Sequence, residues 1–312
     1  MKHSITISLS LASLLLFSCA SGPLKEANLL YESGDYQAVV KSLKPILESA
    51  PDNADAHLLL GKTLRAQGKS SAAFVEFKTV HRLAPDNKDA AFALRQYYAA
   101  DGKKYLAAGK IDEAISSYSR AHKLDESDPE TSLGLANAYI KFGLLTRAEK
   151  LLDNASGLRE EVDKSRAQIT KQKDIASAAF AKGKKAYDRG RYSTAKKHLD
   201  KAIKNNRDDN DIKYYSYMSN GLYLYKKGSR WQIWDAIVEF GKAAEVDPLS
   251  AEANYYQALG YLKKDDKDFE NILSFYEKAL ELDVDRKFTS EIKKGLKKQR
   301  RRKKVLDEFW GK

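Results

Sequence analysis

The chain has 312 residues, 43% of them hydrophobic, with a formal net charge of +12. That apolar share can bury a core, and no stretch beyond residue 20 is long and apolar enough to cross a bilayer. One cysteine rules out an internal disulfide, and a composition led by Ala, Leu, Lys, Glu and Tyr, with few Pro and Gly, favours helix over sheet.

The first segment has a positive start at Lys2 and His3, then an apolar stretch from Ile5 to Phe17 broken only by Ser and Thr. This is the layout of an export signal, too short for a stop-transfer helix. Its end, Leu16-Phe17-Ser18-Cys19, resembles the lipobox of bacterial lipoproteins, although Phe17 stands where the pattern has a smaller residue. The resemblance implies a signal peptide over 1–18 and a lipidated linker over 19–23. Cys19 would then be the mature N-terminus, carrying a diacylglyceryl thioether and an N-acyl chain. Several chains are needed because one fatty chain holds only marginally, at about 10⁴ M⁻¹. Ala20 follows where Asp would suggest inner-membrane retention, so the expected place is the bacterial envelope at the outer membrane.

From residue 24 the chain repeats itself. Ala54 to Asn87 is the cleanest unit, with Leu60-Gly61, Leu64, Gly68, Ala73, Phe77, Val80 and then Pro85. A first unit is marked by Gly34, Leu43 and Pro51, and a third by Gly102, Gly109, Ala114, Tyr118 and Ala121. Later units show Leu135-Ala136, Gly143 and Ala148; then Gly183, Gly190, Ala195 and Leu199; then Gly221, Ala236, Phe240 and Pro248; then Leu259-Gly260, Tyr276 and Ala279. The pattern resembles the tetratricopeptide repeat, with its period of about 34 residues. The resemblance implies an all-α fold, an α-solenoid of helix hairpins wound into a right-handed superhelix with a C-terminal capping helix. Small residues sit where two helices cross closely, large ones fill the gap to the next unit, and stacking buries what one hairpin cannot.

The expected lobes are 24–157 and 190–285. Between them, over 158–189, Leu158, Val162, Ile169, Ala176, Phe180 and Tyr187 form one helical stripe. It reads as one long helix leading into repeat five, or as two helices broken near Lys173. The third unit carries extra residues over Lys88–Leu94, which lengthen its first helix. The sixth has a longer turn, Gly228 to Trp234, with its tryptophans expected on the hairpin tip.

Residues 286–312 form a basic cap and tail. Between Arg286 and Lys304 stand eleven Lys and Arg against Glu291 alone, so the high charge belongs mainly to this segment. Phe288, Ile292 and Leu296 give it an apolar stripe, and residues 286–297 are expected to cover the last repeat as a capping helix. Lys297, Lys298, Arg300, Arg301, Arg302, Lys303 and Lys304 are denser than a cap needs. They suit a solvated face, anionic lipid or an acidic protein; an exported chain rarely meets nucleic acid, so none is expected. Val305, Leu306, Phe309 and Trp310 then suggest a docking foot.

No catalytic, metal or cofactor motif is present. HExxH, CxxC, a phosphate-binding Gly loop and a nucleophile elbow are all missing, and the five histidines are scattered. Asp52, Asp86 and Asp128 read as cap and turn residues. The expectation is a non-enzymatic scaffold without cofactor or metal. In the resembled family the first helix of each pair lines a concave groove. That implies partner-binding positions at Lys62, Arg65, Lys103, Asn137, Lys141, Lys184, Tyr187, Tyr215, Met218, Tyr225 and Tyr261, basic at first and tyrosine-rich later. Several of these tyrosines equally suit packing between repeats. The family's Lys/Asn clamp for a peptide carboxylate is not reproduced, because Leu133 stands where it has Lys. The reading is of a lipid-anchored envelope scaffold in an outer-membrane, pilus or secretion assembly. The alternatives are a membrane-bridging tether or a cell-wall-associated module using the tail.

Overall fold

A computed structural model describes residues 21–311, and within them the chain is helix and turn with no strand. The expected signal segment and Cys19 lie outside the described residues.

The helices come in hairpins. These are α1 (Ser21–Glu32) with α2 (Tyr36–Ser49), α3 (Ala54–Ala66) with α4 (Ser70–Leu83), and α5 (Lys88–Ala107) with α6 (Ile111–Leu124). Next come α7 (Pro129–Phe142) with α8 (Leu145–Asn154), and α9 (Arg159–Asp188) with α10 (Tyr192–Asn205). Then follow α11 (Asn210–Lys227) with α12 (Arg230–Val246), α13 (Ala251–Lys264) with α14 (Phe269–Leu282), and the closing α15 (Thr289–Phe309).

Local chemistry sets the boundaries. Several first helices of a pair start on a side-chain cap, whose oxygen takes one of the backbone N–H groups left over at a helix start; α9, which follows Leu158, does not. Asn53, Asn87, Asp209 and Ser250 each accept from the backbone N–H three residues on. The caps of α3 and α5 are thus Asn53 and Asn87, with Asp52 and Asp86 in the preceding turns; Asp128 does cap α7, accepting from Thr131 N–H at 2.9 Å. Most second helices follow a left-handed glycine, such as Gly68 at φ +75 and Gly190 at φ +67, a conformation that costs other residues energy; α14 instead starts on the Asp268 side-chain cap.

The chain divides into two compact units, one up to Leu135 and one from Ala136 on. In the first, each helix packs on its chain neighbours, and α1 also touches α3. Its core is built from Val39 and Leu43, then Phe77 and Val80, then Ala114 and Tyr118. Tyr118 is wedged between two bare helix backbones. A β-carbon on Gly102 would lie 2.7 Å from its ring, and one on Gly134 would lie closer still. His57 ties α3 to α4 by Nδ1 to Glu76 at 2.6 Å, and its Nε2 meets the carbonyl of Pro51 at 2.8 Å.

In the second unit the same packing recurs from α8 to α15. Leu199 sits on Gly183, Phe240 on Gly221, Ile237 on Gly260 and Tyr276 on Gly295. Helix α9 runs unbroken for 30 residues, with no interruption at Lys173. Its first half packs on α7 and α8: Ser165 donates to Asn137 at 2.7 Å, and Lys173 pairs with Glu149 at 2.8 Å. Its second half is the first helix of the next hairpin, with Gly183 under Leu199. At the far end of α10, Arg207 N–H donates to the Gly143 carbonyl at 2.6 Å, and Asp208 accepts from the amides of Thr146 and Arg147. That carboxylate caps α8 from outside its own hairpin.

Two expectations are corrected. The segment from Gly228 to Trp234 is not a long turn. Ser229 and Gln232 form a reciprocal capping box, so α12 begins at Arg230 and Trp231 stands 82% exposed instead of packing on the tip. The capping helix does not stop near residue 297. It continues to Phe309, because Gln299 is buried and Arg300 and Arg302 reach acids of the preceding hairpin.

The Gly134 contact gives a test with a defined sign. Ala normally stabilises a helix over Gly by about 1 kcal/mol. In Gly134→Ala the new methyl meets a trapped ring, so denaturant titration should show a loss of about 1–3 kcal/mol. Gly22→Ala, where nothing lies within 4 Å, should be neutral or stabilising.

Candidate functional site

The candidate surface is the exposed side of the first helices, and it differs between units. In the first unit Lys62 is half-buried and bonded to Asp89 of α5, which fixes its ammonium against the neighbouring helix. Arg65 is exposed, with its guanidinium 5.5 Å from the centroid of the Phe77 ring. Lys103, one hairpin later, is exposed. Side chains that sequence reasoning missed stand on α4 and α5: Phe74 stacks on Tyr97 at 4.2 Å and meets Tyr98 edge-on at 5.4 Å. The signal was the Tyr97-Tyr98 pair, one residue of which had to face away from the core.

In the second unit the expected positions divide into three groups. Lys141 is exposed, and Lys184, Tyr215, Tyr225 and Tyr261 are half-buried with accessible edges. Lys184 bonds Asp188 and lies 5.0 Å from the Tyr215 ring centroid. Lys263 lies over the Tyr225 ring at 4.6 Å, and Tyr261 stacks on Phe275 at 5.4 Å. Asn137 is already engaged, since its side-chain carbonyl accepts from Ser165 of α9. Met218 and Tyr187 are not surface residues. Met218 is fully buried among the hairpin cores and Tyr187 is 7% exposed, so neither is available to a partner.

Tyr187 has a structural task instead. Its hydroxyl donates to Glu252 of α13 at 2.8 Å, and its ring meets Tyr192 and Tyr215. Tyr214 shares a hydrogen bond with Ser250 at 2.7 Å, and Tyr256 stacks on Phe240. Lys287, from the approach to α15, lies 3.8 Å from the other Glu252 oxygen. Phenols from α9 and α11 are thereby tied to one carboxylate of α13 and to its cap, which locks three successive first helices together. Burial pushes the Tyr187, Tyr214 and Tyr256 hydroxyls well above their ordinary value near 10, and Glu252 adds to the effect on each. Burial also raises Tyr276, to about 12.

The basic tail is partly engaged. Arg300 pairs with Glu277 at 2.7 Å, and Arg302 bonds Asp266 and Gln299. Lys297, Lys298, Arg301, Lys303 and Lys304 are exposed. Among the described residues no group of His, Cys, Asp and Glu is placed to hold a metal, and no helix is long and apolar enough to cross a membrane.

Stacked hairpins with fixed cores and varied side chains along one helix of each pair define a helical repeat protein of the protein-interaction class. Profiles of the tetratricopeptide repeat match residues 30–96, 105–169 and 253–285, and the chain belongs to that family. Tetratricopeptide repeat protein 37 of Xenopus laevis is 28% identical over 178 residues, which is 57% of this chain and 10% of that relative. The chain therefore spans about a tenth of the length of the curated relative it matches. Among solved structures, a tetratricopeptide repeat protein from Parabacteroides merdae is 16% identical across 90% of this chain and 98% of its own, at a TM-score of 0.34. The TPR2AB domain of yeast Sti1, solved in complex with pHSP90, is 16% identical over 90% and 98%, at a TM-score of 0.37.

The tyrosine lock predicts the alkaline behaviour. Below pH about 10 the phenols are protonated in both folded and unfolded chains, and the full stability is present. Above that, the unfolded chain releases protons that the fold retains, so stability falls as pH rises towards and past the raised folded values. Tyrosinate absorbance should show a class of phenols that ionises only past pH about 12, together with loss of helical circular dichroism. Tyr187→Phe should cost about 1.5–3 kcal/mol by leaving a Glu252 oxygen without its donor.

Proposed function

We propose that the protein is a lipid-anchored scaffold that holds a partner protein along the first helices of its hairpins. The observation that carries this is the separation of roles within each first helix. One side is locked by a glycine contact, while the other presents Lys62, Arg65 and Lys103 in the first unit and Lys141, Lys184, Tyr215, Tyr225 and Tyr261 in the second. Rigid tyrosine edges beside lysines supply contact area at low entropic cost and donors for backbone carbonyls or carboxylates. No catalytic role is part of this reading, since the polar groups that are buried together serve caps and inter-helix ties.

The anchor is Cys19, acylated after removal of residues 1–18, and the proposed location is the bacterial envelope, at the outer membrane. The support is the Leu16 to Cys19 sequence and the position of the chain's one cysteine within it. An outer-membrane insertion, pilus or secretion assembly is the setting that suits an envelope-anchored scaffold of this class.

Both halves of the proposal are testable in one strain set. Radiolabelled palmitate should enter the wild-type chain and not Cys19→Ser, and the variant should leave the membrane fraction. Arg65→Glu with Lys103→Glu should recover at least tenfold less of a specific partner from solubilised envelopes while circular dichroism stays unchanged. Equal labelling of both chains would remove the anchor from the proposal, and undiminished partner recovery would remove the surface.

A further inference from the structure

Two features of the sequence remain outside the groove: the tryptophans near residue 230 and the aromatic end of the basic tail. Both lie in the second unit, the first at an edge formed by the hairpin turns and the second on the helix that continues from it. That edge is where first helices end and second helices begin, and a series of contacts runs along it. Lys226, at the end of α11, donates to the carbonyl of Gly190 in the α9–α10 turn at 3.3 Å. Lys263, at the end of α13, donates to the Tyr225 carbonyl at 2.9 Å. Its neighbour Lys264 lies 4.1 Å from the Trp234 ring centroid, next to the start of α12. Arg302 of α15 bonds Asp266 in the α13–α14 turn and lies 5.8 Å from the Phe269 ring. Helix α15 then continues from this level to Phe309.

Trp231 and Trp234, at the start of α12, stand on this edge, and the third tryptophan, Trp310, follows the end of α15. Trp231 is 82% exposed, Trp234 44%, Phe309 76% and Trp310 71%. Arg230, Trp231, Trp234 and Lys264 line an open depression of about 540 Å³. Of the acids along the edge and on α15, Asp266 pairs with Arg302, Asp268 caps α14 and Asp265 accepts from the Lys267 amide, while Asp235 beside Trp234 is exposed and Glu308 lies 3.7 Å from Lys304. Arg230 and Lys264 are exposed beside Trp231 and Trp234, while Lys303 is exposed on α15 and Lys304 pairs with Glu308.

We propose that this edge is a docking face for an anionic phospholipid bilayer, independent of the groove. Indole rings have an apolar body and a polar N–H, and they settle at the headgroup level of a membrane. Lys and Arg beside them extend apolar stems while their charges meet lipid phosphates, at about 1 kcal/mol per residue near an anionic surface. An acidic protein would satisfy the charges but not the exposed indoles of Trp231 and Trp234, nor Phe309 and Trp310 at the end of α15. A bilayer surface meets both requirements at once. With an acyl anchor at the other end of the chain, the edge would supply the second, reversible membrane contact.

The test uses the full chain and its own fluorescence, because its three tryptophans are exposed, two on this edge and one at the end of α15. The probes are vesicles of phosphatidylcholine alone or mixed with phosphatidylglycerol, with and without brominated acyl chains. The expected result is a blue shift and bromine quenching on the anionic vesicles only, reversed by high salt. Arg230→Glu with Lys264→Glu, both surface changes that leave the cores intact, should weaken vesicle binding roughly tenfold or more. An unshifted spectrum on anionic vesicles would overturn the proposal. So would equal shifts on both vesicle types, or a response to polyglutamate in place of vesicles.

Discussion

A bare helix backbone lying under a large side chain is the contact on which the rest depends. Phe77 on Gly61, Tyr118 between Gly102 and Gly134, Leu199 on Gly183, Phe240 on Gly221 and Tyr276 on Gly295 are instances of it. With ring or methyl atoms within about 3 Å of where a β-carbon would stand, no other residue fits without displacement. The contact sets the distance between helices, and that distance sets which face of each first helix is left over. Binding chemistry can then vary on the open face while the buried face stays constant, which is how a repeat family supports many partners on one architecture.

The hairpin series was legible because this contact constrains residue type. Gly61, Gly102, Gly183 and Gly260 fell in phase with the large residues that cover them. Gly295 was not read that way, although it carries the same signal. It lies within a run of lysines, and charge masked a glycine that places α15 as the first helix of a further half-repeat, not a mere lid. The profile matches stop at residue 169, in the middle of α9, and resume at 253. In that gap the repeat departs in length, through a 30-residue α9 and an extra turn at the start of α12, yet the glycine contacts persist.

The candidate surface was less legible, for a physical reason. Phase along a helix shows which side a residue occupies, but not whether a neighbour reaches across to it. Asn137 lost its place to Ser165, and Met218 to the surrounding cores, because contacts from other helices cover them. Tyr187 turned inward to Glu252, a carboxylate sixty-five residues away in the chain. The positions that kept access, such as Arg65, Lys103 and Lys141, are long cations, whose charged ends cannot be buried cheaply without a partner. Trp231 shows the reverse error: a large aromatic read as packed is exposed because Ser229 starts the helix one turn early.

The central claim is that partners are held on the first-helix faces and not on the second. Photo-crosslinking in intact cells tests this most directly, with benzoylphenylalanine placed singly at Lys103 and Tyr261, and at Lys201 on the exposed face of α10 as the comparison. The account predicts a discrete crosslinked protein from the first two positions and none from the third. Crosslinks of equal yield from all three positions, or from Lys201 alone, would contradict it.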